Sequence, residues 1–180
     1  MDHADHVALL EDGILAPGGA WADLGAGRGA FTLALAELIG PNGKIFAVDK
    51  ERGALQENER SFHRFFEIRP APVIEYHLDD FSRRLPFPAL DGIVMANALH
   101  FQRQKEAVID QILGHLKPGG RMILVEYNAE HGNPWVPYPL SYPTWEALAL
   151  KSGFKEVRLL RRRPSSFLKE IYSSLAIKEP

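Results

Sequence analysis

The residue pattern predicts an α/β fold: a doubly wound, seven-stranded, mostly parallel sheet with an antiparallel hairpin at its C-terminal edge. Three observations lead there. Short apolar runs alternate with helix-period stretches along most of the chain, the order that builds parallel sheets through right-handed crossovers. The first run, Trp21-Ala22-Asp23-Leu24, breaks at three alternate glycines, Gly25, Gly27 and Gly29, and passes straight into a helical pattern. The last two apolar runs have no helix between them, so the final strand returns antiparallel, as mixed sheets tolerate.

The elements follow in order. Asp5 to Leu10 reads as a short helix within a brief N-terminal cap, residues 1–19. After the glycine turn, Phe31 to Ile39 carries Leu33, Leu35, Ala36, Leu38 and Ile39 at helical spacing, and Gly40-Pro41-Asn42-Gly43 stops it. Lys44 to Val48 is the second strand, closed by Asp49; Glu51 to Phe66 is polar, with Leu55, Phe62, Phe65 and Phe66 available for a buried face. Val73–His77 and Gly92–Ala96 make the third and fourth strands, and Lys105–Leu116 the helix after them. Lys117-Pro118-Gly119-Gly120 turns the chain into a fifth strand, Arg121–Val125, and Ser141–Ser152 is the last helix. Lys155–Arg161 and Glu170–Lys178 form the terminal hairpin.

Composition narrows the function classes. The chain has 180 residues, 46% hydrophobic and 24% charged, which suits one globular domain spanning 1–180. A formal charge of −2 leaves no electrostatic footprint for nucleic acid, and Arg161-Arg162-Arg163 reads as a solvated strand end. With no cysteine, disulfides, thiolate metal sites and a cysteine nucleophile are excluded. The seven histidines lack metal-ligand spacing, so no metal is expected. No apolar stretch reaches the roughly 20 residues that span a bilayer, and the N-terminus lacks signal-peptide character, so no membrane partner and a cytoplasmic location are the default expectations.

Residues just after consecutive parallel strands converge at one sheet edge, where open α/β sheets bind ligands. Asp49 ends the second strand about twenty residues after Gly29, where a carboxylate accepts both hydroxyls of a ribose. Asp80-Phe81 follows the third strand, offering a carboxylate for an exocyclic amine and a ring for a base. Each acid taken alone reads equally as a helix cap or turn residue. Their order after three successive strands is what makes them a set.

Asp23-Leu24-Gly25-Ala26-Gly27-Arg28-Gly29, Val48-Asp49, Asp80-Phe81, Asp91 to Phe101 and Leu116-Lys117-Pro118-Gly119-Gly120-Arg121 together resemble class I S-adenosylmethionine (SAM)-dependent methyltransferases. The last two segments are similar to those of the branch that methylates small molecules, quinone-type C-methyltransferases included. The resemblance covers nearly the whole chain and implies a Rossmann-like sheet, SAM as methyl donor and S-adenosylhomocysteine (SAH) as product. It implies that Asp23 and the loop Gly25, Ala26, Gly27 and Gly29 meet the methionine moiety. On the same basis Asp49 meets the ribose, Asp80 and Phe81 the adenine, and Ala96-Asn97 the path beside the sulfonium, with Lys50 a further cofactor-binding candidate. Only about twenty residues precede the first strand, fewer than the lid helices of many relatives.

The acceptor side is read from position. Residues 127–143 follow the fifth strand on the ligand-bearing edge, stiffened by prolines and rich in flat side chains. Tyr127, Trp135, Tyr138 and Tyr142 are the substrate candidates, for a small, planar or aromatic methyl acceptor; packing of the same rings onto the sheet is the competing reading. His100 follows the fourth strand and is the candidate base, with a packing or capping role as its alternative; Glu126 and Tyr127 are weaker choices for the base. No Asn-Pro-Pro-Tyr signature occurs after the fourth strand, which counts against methylation of nucleic-acid bases. Two other classes stay open at this level: a SAM-binding or interaction module without turnover, and a nicotinamide-dependent oxidoreductase, which leaves Asp80-Phe81 and the Lys117–Gly120 turn unexplained.

Overall fold

A computed structural model describes residues 1–180. The chain opens with α1 (His3–Leu10), capped by Asp2 and Asp5 in reciprocal side-chain to backbone bonds, and a single 3-10 turn leads to β1 (Gly19–Leu24). There follow α2 (Ala30–Ile39), β2 (Gly43–Asp49), α3 (Arg52–Phe65), β3 (Val73–Leu78), β4 (Leu90–Ala96), α4 (Lys105–His115), β5 (Leu116–Tyr127), α5 (Tyr142–Ser152), β6 (Phe154–Ser165) and β7 (Lys169–Lys178). The expected elements are all present.

The seven strands form one sheet in the order β3-β2-β1-β4-β5-β7-β6. β1 pairs in parallel with both β2 and β4, so the strand order reverses at the carboxyl end of β1 and opens a crevice there. β7 slots between β5 and β6 and runs antiparallel to both. The expected turn before β5 appears as an irregularity in that strand: Leu90 faces Leu116 and Gly92 faces Arg121, so Lys117 to Gly120 loop out of the ladder.

Strand periodicity distributes the apolar residues over both faces. On one face Ala22, Phe46, Ile93, Met122 and Tyr172 join Val108, Ile109 and Ile112 of α4 and Trp145 of α5. On the other, Trp21, Ile45, Val94, Ile123 and Leu175 join Leu9 and Leu10 of α1, Leu35 and Ile39 of α2 and Phe62 of α3. Each fully buried Leu, Ile or Val contributes about 1.5–3 kcal/mol. No helix is long and apolar enough to cross a membrane.

The arginine run is a solvated strand end, as expected, that also carries ion pairs. Arg163 pairs with Asp5, and Arg161 with Glu11 and with Asp12 at 3.2 Å, so one side of the β6 end clamps the N-terminal segment; Arg162 approaches Glu170 of β7 at 3.7 Å. Acidic partners distant in sequence are what the local reading missed. Half-exposed pairs of this kind contribute about 0–1 kcal/mol each, so they orient α1 more than they hold it.

Gly92 marks the tightest contact in the sheet. It lies opposite Trp21 in the β1–β4 register, and a Cβ there would stand 2.2 Å from the indole ring. Gly92→Ala should therefore destabilise the fold by about 1–3 kcal/mol through overpacking, read as a lower denaturant midpoint with unchanged slope.

Candidate functional site

The loop after β1 is shaped by β2. Val48 O accepts from the N–H groups of Gly25 and Ala26, each at 2.9 Å, and the Asp49 carboxylate accepts from Gly27 N–H at 2.8 Å and Glu51 N–H at 2.9 Å. Gly25, Gly27 and Gly29 have φ of 77°, 53° and 95°, a region that side chains disfavour. Their surroundings differ. A Cβ on Gly25 would lie 2.5 Å from the Ala98 methyl and one on Gly29 2.4 Å from Asn58 Oδ1, so these two glycines let neighbouring segments close in. At Gly27 the nearest neighbour would be the Gly25 carbonyl oxygen at 3.9 Å, so this position faces open space.

That space is a cavity of about 450 Å³ at the carboxyl ends of the first four strands. Gly25 and Gly27 after β1, Asp49 and Lys50 after β2, Asp80 and Phe81 after β3 and Asn97 after β4 all border it. Sequence reasoning had not singled out Arg28, Phe101 or Gln102, which also line it. Asp80 accepts from Ser82 N–H at 2.9 Å, and that bond holds its carboxyl below the usual range, so it meets a ligand as an anion. Asn97 sits at φ 51° with its amide oxygen buried and unbonded. Asn97 thus turns the chain at the cavity edge in the left-handed region that Asn tolerates, with one polar group left over beneath the surface. A larger depression of about 670 Å³, between residues 84–89 and α4, contains no carboxylate.

Four residues expected at the ligand lie behind this surface. Ala26 is buried beneath the loop, Gly29 abuts Asn58 at the start of α2, and Ala96 ends β4 opposite Val125. Asp23 is fully buried and accepts from the Thr32 hydroxyl at 2.6 Å, while Thr32 accepts from Asn58 Nδ2 at 2.9 Å. This chain ties β1 to α2 and α3. The strand's alternation turns the Asp23 side chain toward α2 while the cavity opens at the strand's end. Burial pushes its carboxyl up to about 7 against the opposing Thr32 bond, with a smaller rise from Asp49.

His100 does not line the cavity. It is buried one residue before the cavity-lining Phe101, and both Glu126 oxygens serve it: one accepts the His100 backbone N–H at 3.1 Å, the other lies 2.7 Å from Nδ1. A carboxylate only accepts, so Nδ1 donates to Glu126 and the ring is held in one orientation. Lys105 nearby is buried, which lowers its pKa, and its Nζ donates to Gln102 O at 2.9 Å. Of the four aromatic candidates, Tyr127 packs 6.1 Å from the His100 ring, while Trp135 and Tyr138 are exposed, Trp135 by 72%. Tyr142 points elsewhere: it meets Tyr172 at 5.8 Å and donates to Glu146 at 2.6 Å, and its hydroxyl is raised to about 12. Phe167, which carries no local sequence signal, joins the cluster from the β6–β7 turn, 5.5 Å from Tyr127 and 6.5 Å from Trp135. No group of three or more His, Asp or Glu is placed to hold a metal ion.

Residues 22–122 match the family described as a methyltransferase domain. Over 163 residues, 79% of this chain, the sequence is 26% identical to the highly reducing polyketide synthase aurA of Calcarisporium arbuscula, of which the match spans 6%. Over 120 residues, 66% of the chain, it is 29% identical to the ubiquinone/menaquinone biosynthesis C-methyltransferase UbiE of Ectopseudomonas mendocina, of which the match spans 45%. The chain therefore spans less than half the length of these two curated relatives. Among solved structures, the YcgJ protein from Bacillus subtilis superposes with a TM-score of 0.78 at 15% identity, covering 99% of this chain and 100% of that one.

The buried Asp23 makes stability depend on pH. Its carboxyl holds its proton to about 7 in the folded chain and to the ordinary 3.8 when unfolded, so its contribution is fully present below about pH 4 and is lost as the pH rises to 7. The loss amounts to about 4 kcal/mol at full ionisation. Asp23→Asn keeps an acceptor for Thr32 and carries no charge, so it should flatten the stability profile between pH 4 and 7 and be the more stable form at pH 8. Denaturant titrations across that range check this.

Proposed function

The chain belongs to the class I SAM-dependent methyltransferases, and from that premise we propose that it methylates a small, planar molecule held beside His100. SAM, when bound, supplies a methyl group on a positively charged sulfur that needs no further activation. The residues around the cavity fit it. Gly27 leaves a cradle that a Cβ would fill, Asp49 and Asp80 are separated carboxylates on neighbouring strand ends, and Asn97 borders the same space after β4. On this reading Asp49 with Lys50 holds the ribose, Asp80 and Phe81 the adenine, and Gly25, Gly27 and Asn97 the methionine end. Asp23, Ala26, Gly29 and Ala96 shape the loop from behind.

The observation that carries the acceptor side is the buried His100–Glu126 pair, whose imidazole lies 4.3 Å from the exposed Phe101 ring and 6.1 Å from Tyr127. Glu126 fixes the imidazole so that Nε2 can take a proton from the acceptor's reacting atom. Tyr127, Trp135 and Tyr138 offer flat surfaces suited to a ring and reduce its access to water; the quinone-pathway name of UbiE supports the same class. Tyr142, packed on Tyr172, supports the fold of α5.

Two measurements test the two halves. Asp49→Ala should weaken SAH binding by about 1.5–3 kcal/mol in calorimetry while the protein stays folded, because charge-assisted hydrogen bonds to the ribose are lost. Wild-type affinity would remove the ribose assignment.

With a planar hydroxyaromatic acceptor, His100→Ala should reduce SAH formation by about 10²–10⁴-fold below the acceptor's own pKa and have little effect above it. Glu126→Gln should follow the same profile, since its amide can donate to Nδ1 and leave the lone pair on the wrong nitrogen. A rate loss independent of pH would return the pair to packing. SAH binding without turnover of any such acceptor would instead mark a binding module.

A further inference from the structure

The β6–β7 turn stands on the ligand side of the sheet. Ile171 faces Tyr127 across the β5–β7 ladder and Ser165 faces Lys169 across β6–β7, so residues 166–168 project past the carboxyl end of β5. Two consecutive residues there, Leu168 and Lys169, have φ of 54° and 67°. Hairpin turns that need two such residues favour Asn-Gly; a leucine and a lysine are strained in that conformation. Local bonds hold the turn: Phe167 N–H donates to Ser165 Oγ at 3.1 Å and Glu170 N–H to Leu168 O at 2.7 Å.

The strained turn presents Phe167. Its ring meets Tyr127 edge-on at 5.5 Å and Trp135 edge-on at 6.5 Å, yet it belongs to neither core and is 38% exposed. Trp135 arrives from the opposite segment, on a loop pinned by Asn133 Oδ1, which accepts from the N–H groups of Trp135 and Val136 at 2.9 Å each. Two remote segments thus bring exposed rings together at Phe167, which also meets Tyr127, the neighbour of His100. Phe167 is held by ring contacts from two other segments while part of its surface stays open, and the two successive positive-φ residues after it fix the turn that carries it.

We propose that Phe167 is the outer wall of the acceptor site and a determinant of its selectivity for flat rings, meeting the acceptor together with Trp135 above Tyr127. This rests on the planar-acceptor reading. Edge-to-face contact rewards a planar acceptor over a puckered or branched one of equal size, because only a flat ring presents its face to both neighbours. Since the wall is carried by the hairpin, the acceptor contacts can change without disturbing the glycine loop.

The test uses the full chain saturated with SAH and titrated calorimetrically with 1-naphthol, 2-naphthol and 4-hydroxyquinoline, for wild type, Phe167→Ala and Phe167→Tyr. Phe167→Ala is expected to weaken the probes at least tenfold while SAH affinity stays within twofold and the melting temperature is held. Phe167→Tyr, which keeps the ring, should recover probe binding to within threefold of wild type. Wild-type probe affinity in Phe167→Ala overturns the wall and leaves the planar-acceptor reading standing. A parallel loss of SAH affinity also overturns it, since the residue would then act on the cofactor cavity. Wild type that binds SAH but none of the three probes overturns the planar-acceptor reading and the wall with it.

Discussion

Everything at the candidate site depends on how the end of β2 holds the loop after β1. Three consecutive N–H groups, those of Gly25, Ala26 and Gly27, are satisfied by Val48 O and the Asp49 carboxylate. A chain turning from strand to helix leaves these donors without regular partners, and burying them unpaired would cost about 1–3 kcal/mol each. Their capture by the neighbouring strand fixes the loop before any ligand arrives. It also places the Asp49 carboxylate at the cavity wall, so one residue organises the loop and borders the cavity.

Beneath this surface the support is polar and shared among elements. Asn58 of α3, Thr32 of α2 and Asp23 of β1 form one buried hydrogen-bonded line, with Gly29 against Asn58 at its edge. Such a line specifies how α2 and α3 sit against the sheet more sharply than apolar contact does, because a displaced partner leaves a buried polar group unpaired. The protonation of Asp23 is the cost of that specificity: its carboxyl is held in a place where charge is unfavourable.

The aromatic cluster around Tyr127 is organised by the antiparallel end of the sheet. Inserting β7 between β5 and β6 carries the β6–β7 turn to the same edge as the parallel strand ends. The N-terminal segment is tied to that hairpin by Arg161 and Arg163, so α1, α2 and β6 are linked around the side of the site. The cavity at the strand ends and the aromatic cluster therefore meet at one place, around His100 and Phe101, although their residues come from opposite ends of the chain.

The chain's pattern by itself determined the element order, the doubly wound sheet, the antiparallel last strand and the set of strand-end residues that border the cavity. Period and position carry that information locally: alternate glycines force a turn, and residues after parallel strands share an edge whatever their side chains do. Side-chain direction and long-range pairing are set by packing across elements, and only the tertiary structure decided them. Asp23 turns under the loop because Thr32 of α2 offers it a partner, and His100 is buried because Glu126 of β5 receives both its N–H groups. Tyr142 faces Tyr172 in place of the edge, and Phe167, a turn residue with nothing in its neighbourhood to distinguish it, reaches the cluster only because β7 lies beside β5.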